Sequence, residues 1–158
     1  MHLDSKLFKM KFERQNSFGY MTNWAARLFA RAIDRRLKEV GVSSGQMPIF
    51  FALADGAAMP QKTLARLAAI EQPTMAATLS RMERDGMIER QPDPQDGRSQ
   101  LVALTPAAQD KAARVRQAAM TVNEAALAGL DEAERVLFLG MLGRIVASLE
   151  RTLDQKDG

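Results

Sequence analysis

Two short polar constellations in this sequence have residue types and spacing that suit chemistry, and both suit recognition. The first is Gln72-Pro73-Thr74, followed by Thr78 and Arg81. Met75, Leu79 and Met82 step by four and three, which predicts a helix with one apolar face. Gln72, Thr74, Ala77, Thr78 and Arg81 are then expected on the outward side. Glutamine, threonine and arginine carry donors and acceptors that match base edges in a major groove. The free N–H groups of a helix start, here opened by Pro73, suit a phosphate. The second constellation is Asp96-Gly97-Arg98, inside the turn-rich run Pro92 to Gly97. Asp96-Gly97 predicts a hairpin tip. An arginine beside such a tip can enter a narrow, electronegative minor groove. Asp96, two residues earlier, is expected to hold that guanidinium in a fork.

Catalytic constellations are absent from the sequence. There are no cysteines, which removes disulfides, thiolate chemistry and zinc–thiolate sites. The single histidine is His2, at a terminus, so a Ser-His-Asp triad or a histidine metal site is not expected. No phosphate loop or metal-ligand spacing appears, and the chain is not expected to be an enzyme or to hold a cofactor. The longest apolar run, Ile49 to Ala54, is far below the ~20 residues that span a bilayer. The charged N-terminus lacks an apolar leader segment, so a cytoplasmic protein without membrane contact is expected.

The elements that must position these residues are legible in order. Residues 1–15 read as an arm, with a short helix on Leu3, Leu7 and Met10. Ser17 or Asn16 starts a long helix on Phe18, Met21, Ala25, Leu28 and Ala32, and Gly41 ends it. Ser43 with Gln46 forms a capping box for a second helix, which Asp55-Gly56 closes. Pro60 opens a third helix on Leu64, Leu67 and Ala68. The tight link Ala69-Ile70-Glu71 leads to the fourth, which Gly86 ends. The period then changes to two: Met87 to Gln91 and Gln100 to Leu104 are strand candidates around the turn. Thr105 caps a helix whose first residue is Pro106 and which Gly129 stops. Asp131 and Glu134 cap the last, which carries Leu137, Phe138, Met141, Leu142, Ile145, Leu149 and Leu153.

Helix, helix, helix, strand, turn, strand is the order of a winged helix-turn-helix. The fold class expected is mainly α with a small β-hairpin wing, joined to a helical lobe. Asp96-Gly97-Arg98 through Leu104-Thr105 fits the D-x-R, five residues, L-T wing signature of MarR-type regulators. Ile70 to Thr74 and Leu79 to Ile88 resemble the recognition helix and first wing strand of that family, above all its SlyA-like branch. The resemblance covers about residues 20–153. It implies a single chain, 1–158, in which 17–42 and 106–153 form a dimerisation lobe and 43–105 the DNA-binding lobe. It further implies a homodimer on a pseudo-palindromic double-stranded DNA operator, acting as a repressor that a small aromatic or phenolic effector releases. Ala77 and Gly97 stand where relatives place DNA-facing arginines.

The formal net charge is +3. Residues 1–40 carry nine Lys/Arg against four Asp/Glu, whereas residues 60–105 carry six of each. A neutral reading head predicts modest non-specific affinity for DNA. Trp24, Phe50 and Phe51 are bulky and sit on helices near the lobe junction. They are the candidates for an effector pocket, against the plainer reading that they pack in a core. The alternative function is a winged-helix protein–protein interaction module without specific DNA binding.

Overall fold

The computed structural model describes residues 14–154, so the helix expected on Leu3, Leu7 and Met10 lies outside the described residues. The chain divides into two compact units, one ending at Val122 and one beginning at Asn123.

In the first unit, a 3₁₀ turn at Arg14–Asn16 precedes helix α1 (Phe18–Leu37). Ser17 caps α1 by accepting the Tyr20 N–H on its Oγ at 3.3 Å. Gly41 follows at φ +72°, a left-handed position that a side chain disfavours. Its N–H donates to the carbonyl of Leu37 at 3.1 Å, and a 3₁₀ turn over Lys38–Val40 tightens the end. Ser43 and Gln46 form the expected capping box, the Ser43 N–H donating to Gln46 Oε1 at 2.9 Å, before α2 (Met47–Ala52). Asp55 and Gly56, at φ +58° and +81°, turn the chain into β1 (Ala58–Pro60).

Helix α3 (Gln61–Leu67), helix α4 (Gln72–Arg84), and strands β2 (Ile88–Pro92) and β3 (Gln100–Leu104) follow. The sheet is antiparallel in the order β1-β3-β2, with Ala58 opposite Ala103 and Arg90 opposite Val102. The sequence predicts only the two wing strands; β1 is an addition. Pro60 was expected to open α3 and is instead its extended N-cap and the last residue of β1. A proline fits an edge strand because it has no N–H to offer a neighbour.

The core of this unit joins Ile33 and Leu37 of α1, Ile49 and Phe50 of α2, and Leu64 of α3. Met75, Leu79 and Met82 of α4, Val102 of β3 and Val115 of α5 (Pro106–Ala126) complete it. Thr105 ties the wing to this core. Its hydroxyl donates to the Gly86 carbonyl at 2.7 Å, and its N–H donates to the Met87 carbonyl at 3.1 Å.

The second unit holds the last residues of α5 and helix α6 (Glu132–Asp154). Its capping box is complete: the Asp131 N–H donates to Glu134 Oε2 and the Glu134 N–H to Asp131 Oδ1, both at 2.9 Å. Arg135 braces the turn, reaching the Leu130 carbonyl at 3.1 Å and Glu124 at 3.0 Å. No residue of α6 is buried, and Leu137, Phe138, Met141, Leu149 and Leu153 are exposed apolar side chains.

Candidate nucleic-acid interface

Helix α4 is anchored by an apolar stripe and opens on a polar end. Met75, Leu79 and Met82 are fully buried, while Gln72, Pro73, Thr74 and Arg81 are exposed. Glu71 is the N-cap residue and makes no side-chain cap bond, so the first N–H groups of the helix are not taken by it. The helix stops where Gly86 adopts φ +70°, with the Met87 N–H donating to the Met82 carbonyl at 2.8 Å. An ion pair from Arg90 to Glu83, 3.2 Å, ties α4 to β2.

Thr78 departs from expectation. It was placed outward, but it is only 8% exposed. The cause is spacing: position 78 lies three residues after Met75 and four before Met82, on the buried stripe itself. Its hydroxyl donates to the Thr74 carbonyl at 2.9 Å and accepts from Arg81 Nη2 at 3.3 Å. The burial of its polar atom is thus satisfied, and its link to the surface runs through Arg81. At the helix start, Gln61 Nε2 donates to Gln72 Oε1 at 3.3 Å, a contact from α3 that no sequence motif announced.

The wing tip falls where Asp96-Gly97 places it, between two paired strands. Seven residues, 93–99, connect β2 to β3, and Gly97 is not among the glycines with positive φ. The strands therefore join through a wide loop, in line with the eight residues that separate the two strand candidates in the sequence. Two aspartates build the loop. Asp93 Oδ1 accepts the Gln95 N–H at 2.8 Å, and Asp96 Oδ1 accepts the Arg98 N–H at 3.1 Å. The Ser99 N–H closes on the Asp96 carbonyl at 2.8 Å. Asp96 thus holds the backbone of Arg98 and not its guanidinium, correcting the expected fork. Among the described residues Arg98 makes no ion pair and its side chain is exposed.

An exposed polar helix end and an unpaired arginine on an adjoining hairpin are suited to reading a groove and touching its backbone. A family model described as the MarR family matches residues 40–99, from the end of α1 to the wing loop. The chain is 30% identical over 101 residues to the transcriptional regulator HosA of Escherichia coli O111:H-; the match covers 64% of this chain and 75% of HosA. The chain belongs to the MarR family. A solved MarR-family regulator from Silicibacter pomeroyi is 25% identical, with a TM-score of 0.71 over 86% of this chain and 92% of that one. BpsR of Bordetella bronchiseptica, whose DNA binding is regulated by 6-hydroxynicotinic acid, shares the fold. Its TM-score is 0.77 at 21% identity, over 86% and 97% of the two chains.

This MarR-family chain is a DNA-binding transcriptional regulator by its kinship. Its three candidate effector residues are not brought together. Phe50 is 1% exposed and belongs to the core. Phe51, one residue on and on the opposite side of α2, is 45% exposed. It lines an open groove of about 370 Å³ with Met47, Pro48, Ala52 and Leu67. Trp24 is exposed on α1, packs edge-on against Tyr20 with ring centroids 5.9 Å apart, and is not part of that groove's lining. Among the described residues no helix is long and apolar enough to cross a membrane.

Proposed function

We propose that the chain acts in the cytoplasm, by binding alone, as a homodimeric repressor on a pseudo-palindromic duplex operator. Residues 43–105 form the reading lobe, while 17–42 and 106–153 form the dimerisation lobe. One observation carries the DNA reading: Gln72, Thr74 and Arg81 stand exposed on a helix with a buried opposite stripe, and Arg98 stands unpaired on the wing. Pro73 contributes the helix start that faces a phosphate, and Asp96 shapes the tip that carries Arg98. Thr78 acts at one remove, through Arg81.

The dimer reading is supported by exposed apolar side chains on both flanking helices. Phe18, Met21, Trp24 and Leu28 on α1 and Leu137, Phe138, Leu149 and Leu153 on α6 call for a partner surface. A small aromatic or phenolic effector fits the apolar groove at Phe51, and the regulation of BpsR by 6-hydroxynicotinic acid supports an effector of that kind. Light scattering combined with an anisotropy titration against the upstream region of the chain's own gene tests the proposal. A dimer that shifts one duplex specifically, with affinity falling as salt rises, is the expected result. A monomer, or a protein that binds every duplex alike, overturns it; in the latter case the protein–protein module is the better reading.

A further inference from the structure

We propose that a pocket between α1 and α5 is a binding site for a small dicarboxylate, held by Arg36 and Arg114. The two helices share one core, in which Ile33 and Leu37 of α1 meet Val115, Ala119 and Val122 of α5. Beside that seam lies an open pocket of about 310 Å³, lined by Arg36, Val40, Arg114, Gln117, Ala118 and Thr121. Val40 and Ala118 are buried and make an apolar floor, while both arginines are exposed. The pocket is turned away from α2. Asp34, two residues before Arg36, accepts the Ser44 N–H just ahead of α2 at 2.6 Å. Arg116, two residues after Arg114, pairs with Asp55 just beyond α2 at 3.7 Å. Residues two apart do not share a side of a helix, so Arg36 and Arg114 face away from α2 and from the groove at Phe51.

Two guanidiniums at one pocket repel each other unless an anion joins them. Among the described residues neither Arg36 nor Arg114 makes an ion pair, although Glu39 and Asp110 stand about one helical turn away along the chain. Lys111 adds a third cation at the same end: its Nζ comes within 3.9 Å of where a side chain on Gly41, next to Val40, would begin. A guanidinium presents a planar fork that takes both oxygens of a carboxylate. Two forks on two helices over an apolar floor match two carboxylates joined by a short apolar chain. A single carboxylate leaves one fork unmet, and inorganic phosphate leaves the floor unused. The Gln117 amide is a further donor. The Thr121 hydroxyl is not, because it already donates to the Gln117 carbonyl at 3.0 Å. The volume is at the small end for ligand sites, which suits a short chain.

The test is calorimetric titration of the full-length parent with succinate, glutarate and adipate, and with butyrate as the monocarboxylate, all at one ionic strength. Saturable binding of at least one dicarboxylate is expected, with butyrate weaker by roughly tenfold or more, the scale of one lost charged contact. Arg36→Gln and Arg114→Gln are each expected to weaken dicarboxylate binding by roughly tenfold or more and to bring it level with butyrate. Phe51→Ala is expected to bind as the parent does, which separates this pocket from the apolar groove. Melting temperature and oligomeric state of both arginine variants are expected to match the parent. The proposal is overturned if no dicarboxylate saturates, if butyrate binds as tightly, or if the arginine variants bind as the parent does. Arginine variants that lose the parent's oligomeric state overturn it too, because the guanidiniums then face a second copy of the chain. None of these outcomes bears on the DNA reading.

Discussion

Arg98 carries the sharpest single-residue consequence. Its side chain is exposed and makes no ion pair, so Arg98→Ala is expected to change stability by less than ~0.5 kcal/mol. In the proposed complex the same change removes a groove contact costing roughly 1–3 kcal/mol, once per wing. A melting curve and an operator titration check both halves; a variant that binds as the parent does removes the wing from the interface. Thr78 gives a paired test. Thr78→Ser keeps the oxygen that holds Arg81, and Thr78→Val keeps the buried shape without it. Stability of the valine variant should stay within about 1 kcal/mol of the parent, the net scale of one hydrogen bond. Operator affinity is expected to drop several-fold in Thr78→Val and to recover in Thr78→Ser; equal affinity in all three would show that Arg81 needs no anchor. The types at positions 72, 74, 81 and 98 were legible in the sequence because their neighbours set their exposure. Thr78 lies three from Met75 and four from Met82, on the buried stripe, a position that its polarity conceals in the sequence. The contact from Gln61 to Gln72 was invisible because it spans eleven residues of sequence.

At the scale of elements, the caps were the most readable features. Ser17, Gly41, Gly86 and the Asp131/Glu134 box act within one turn of backbone, so local sequence determines them. Strand β1 was not readable: three residues show no alternation, and they pair with β3 more than forty positions away. The wing loop was readable in place but not in detail: Asp96-Gly97 marks the tip, and the carboxylates of Asp93 and Asp96 hold its backbone N–H groups. The link between α3 and α4 holds a residue under strain. Ala69 sits at φ +51°, with its N–H on the Arg66 carbonyl and the Ile70 N–H on the Ala65 carbonyl, both at 3.1 Å. A left-handed alanine costs roughly 1–2 kcal/mol. Replacing it by glycine returns about 0.4–1 kcal/mol of that to the unfolded chain. Ala69→Gly is therefore expected to stabilise the protein by about 0.5–1 kcal/mol. Calorimetry should show a higher melting temperature, and a lower one would contradict the account of this turn.

At the scale of the molecule, charge and exposed apolar surface point to different partners. Residues 60–105 carry six cations and six acids, so sequence-independent attraction to DNA is expected to be weak, with specificity resting on placed contacts. The apolar side chains left exposed on α1 and α6 account for the proposed second copy of the chain. Two copies bring two α4 helices, which must enter one face of the duplex at half-sites about 10 bp apart or a multiple of that. The account stands or falls on that geometry. The most direct measurement is a titration of the parent protein against the operator found upstream of its own gene and against the same operator with about 5 bp, half a helical turn, inserted between the half-sites. Half a turn moves one half-site to the opposite face of the DNA. The account predicts that tight binding is lost and only weak, salt-sensitive association remains. Equal affinity for the two duplexes would contradict it.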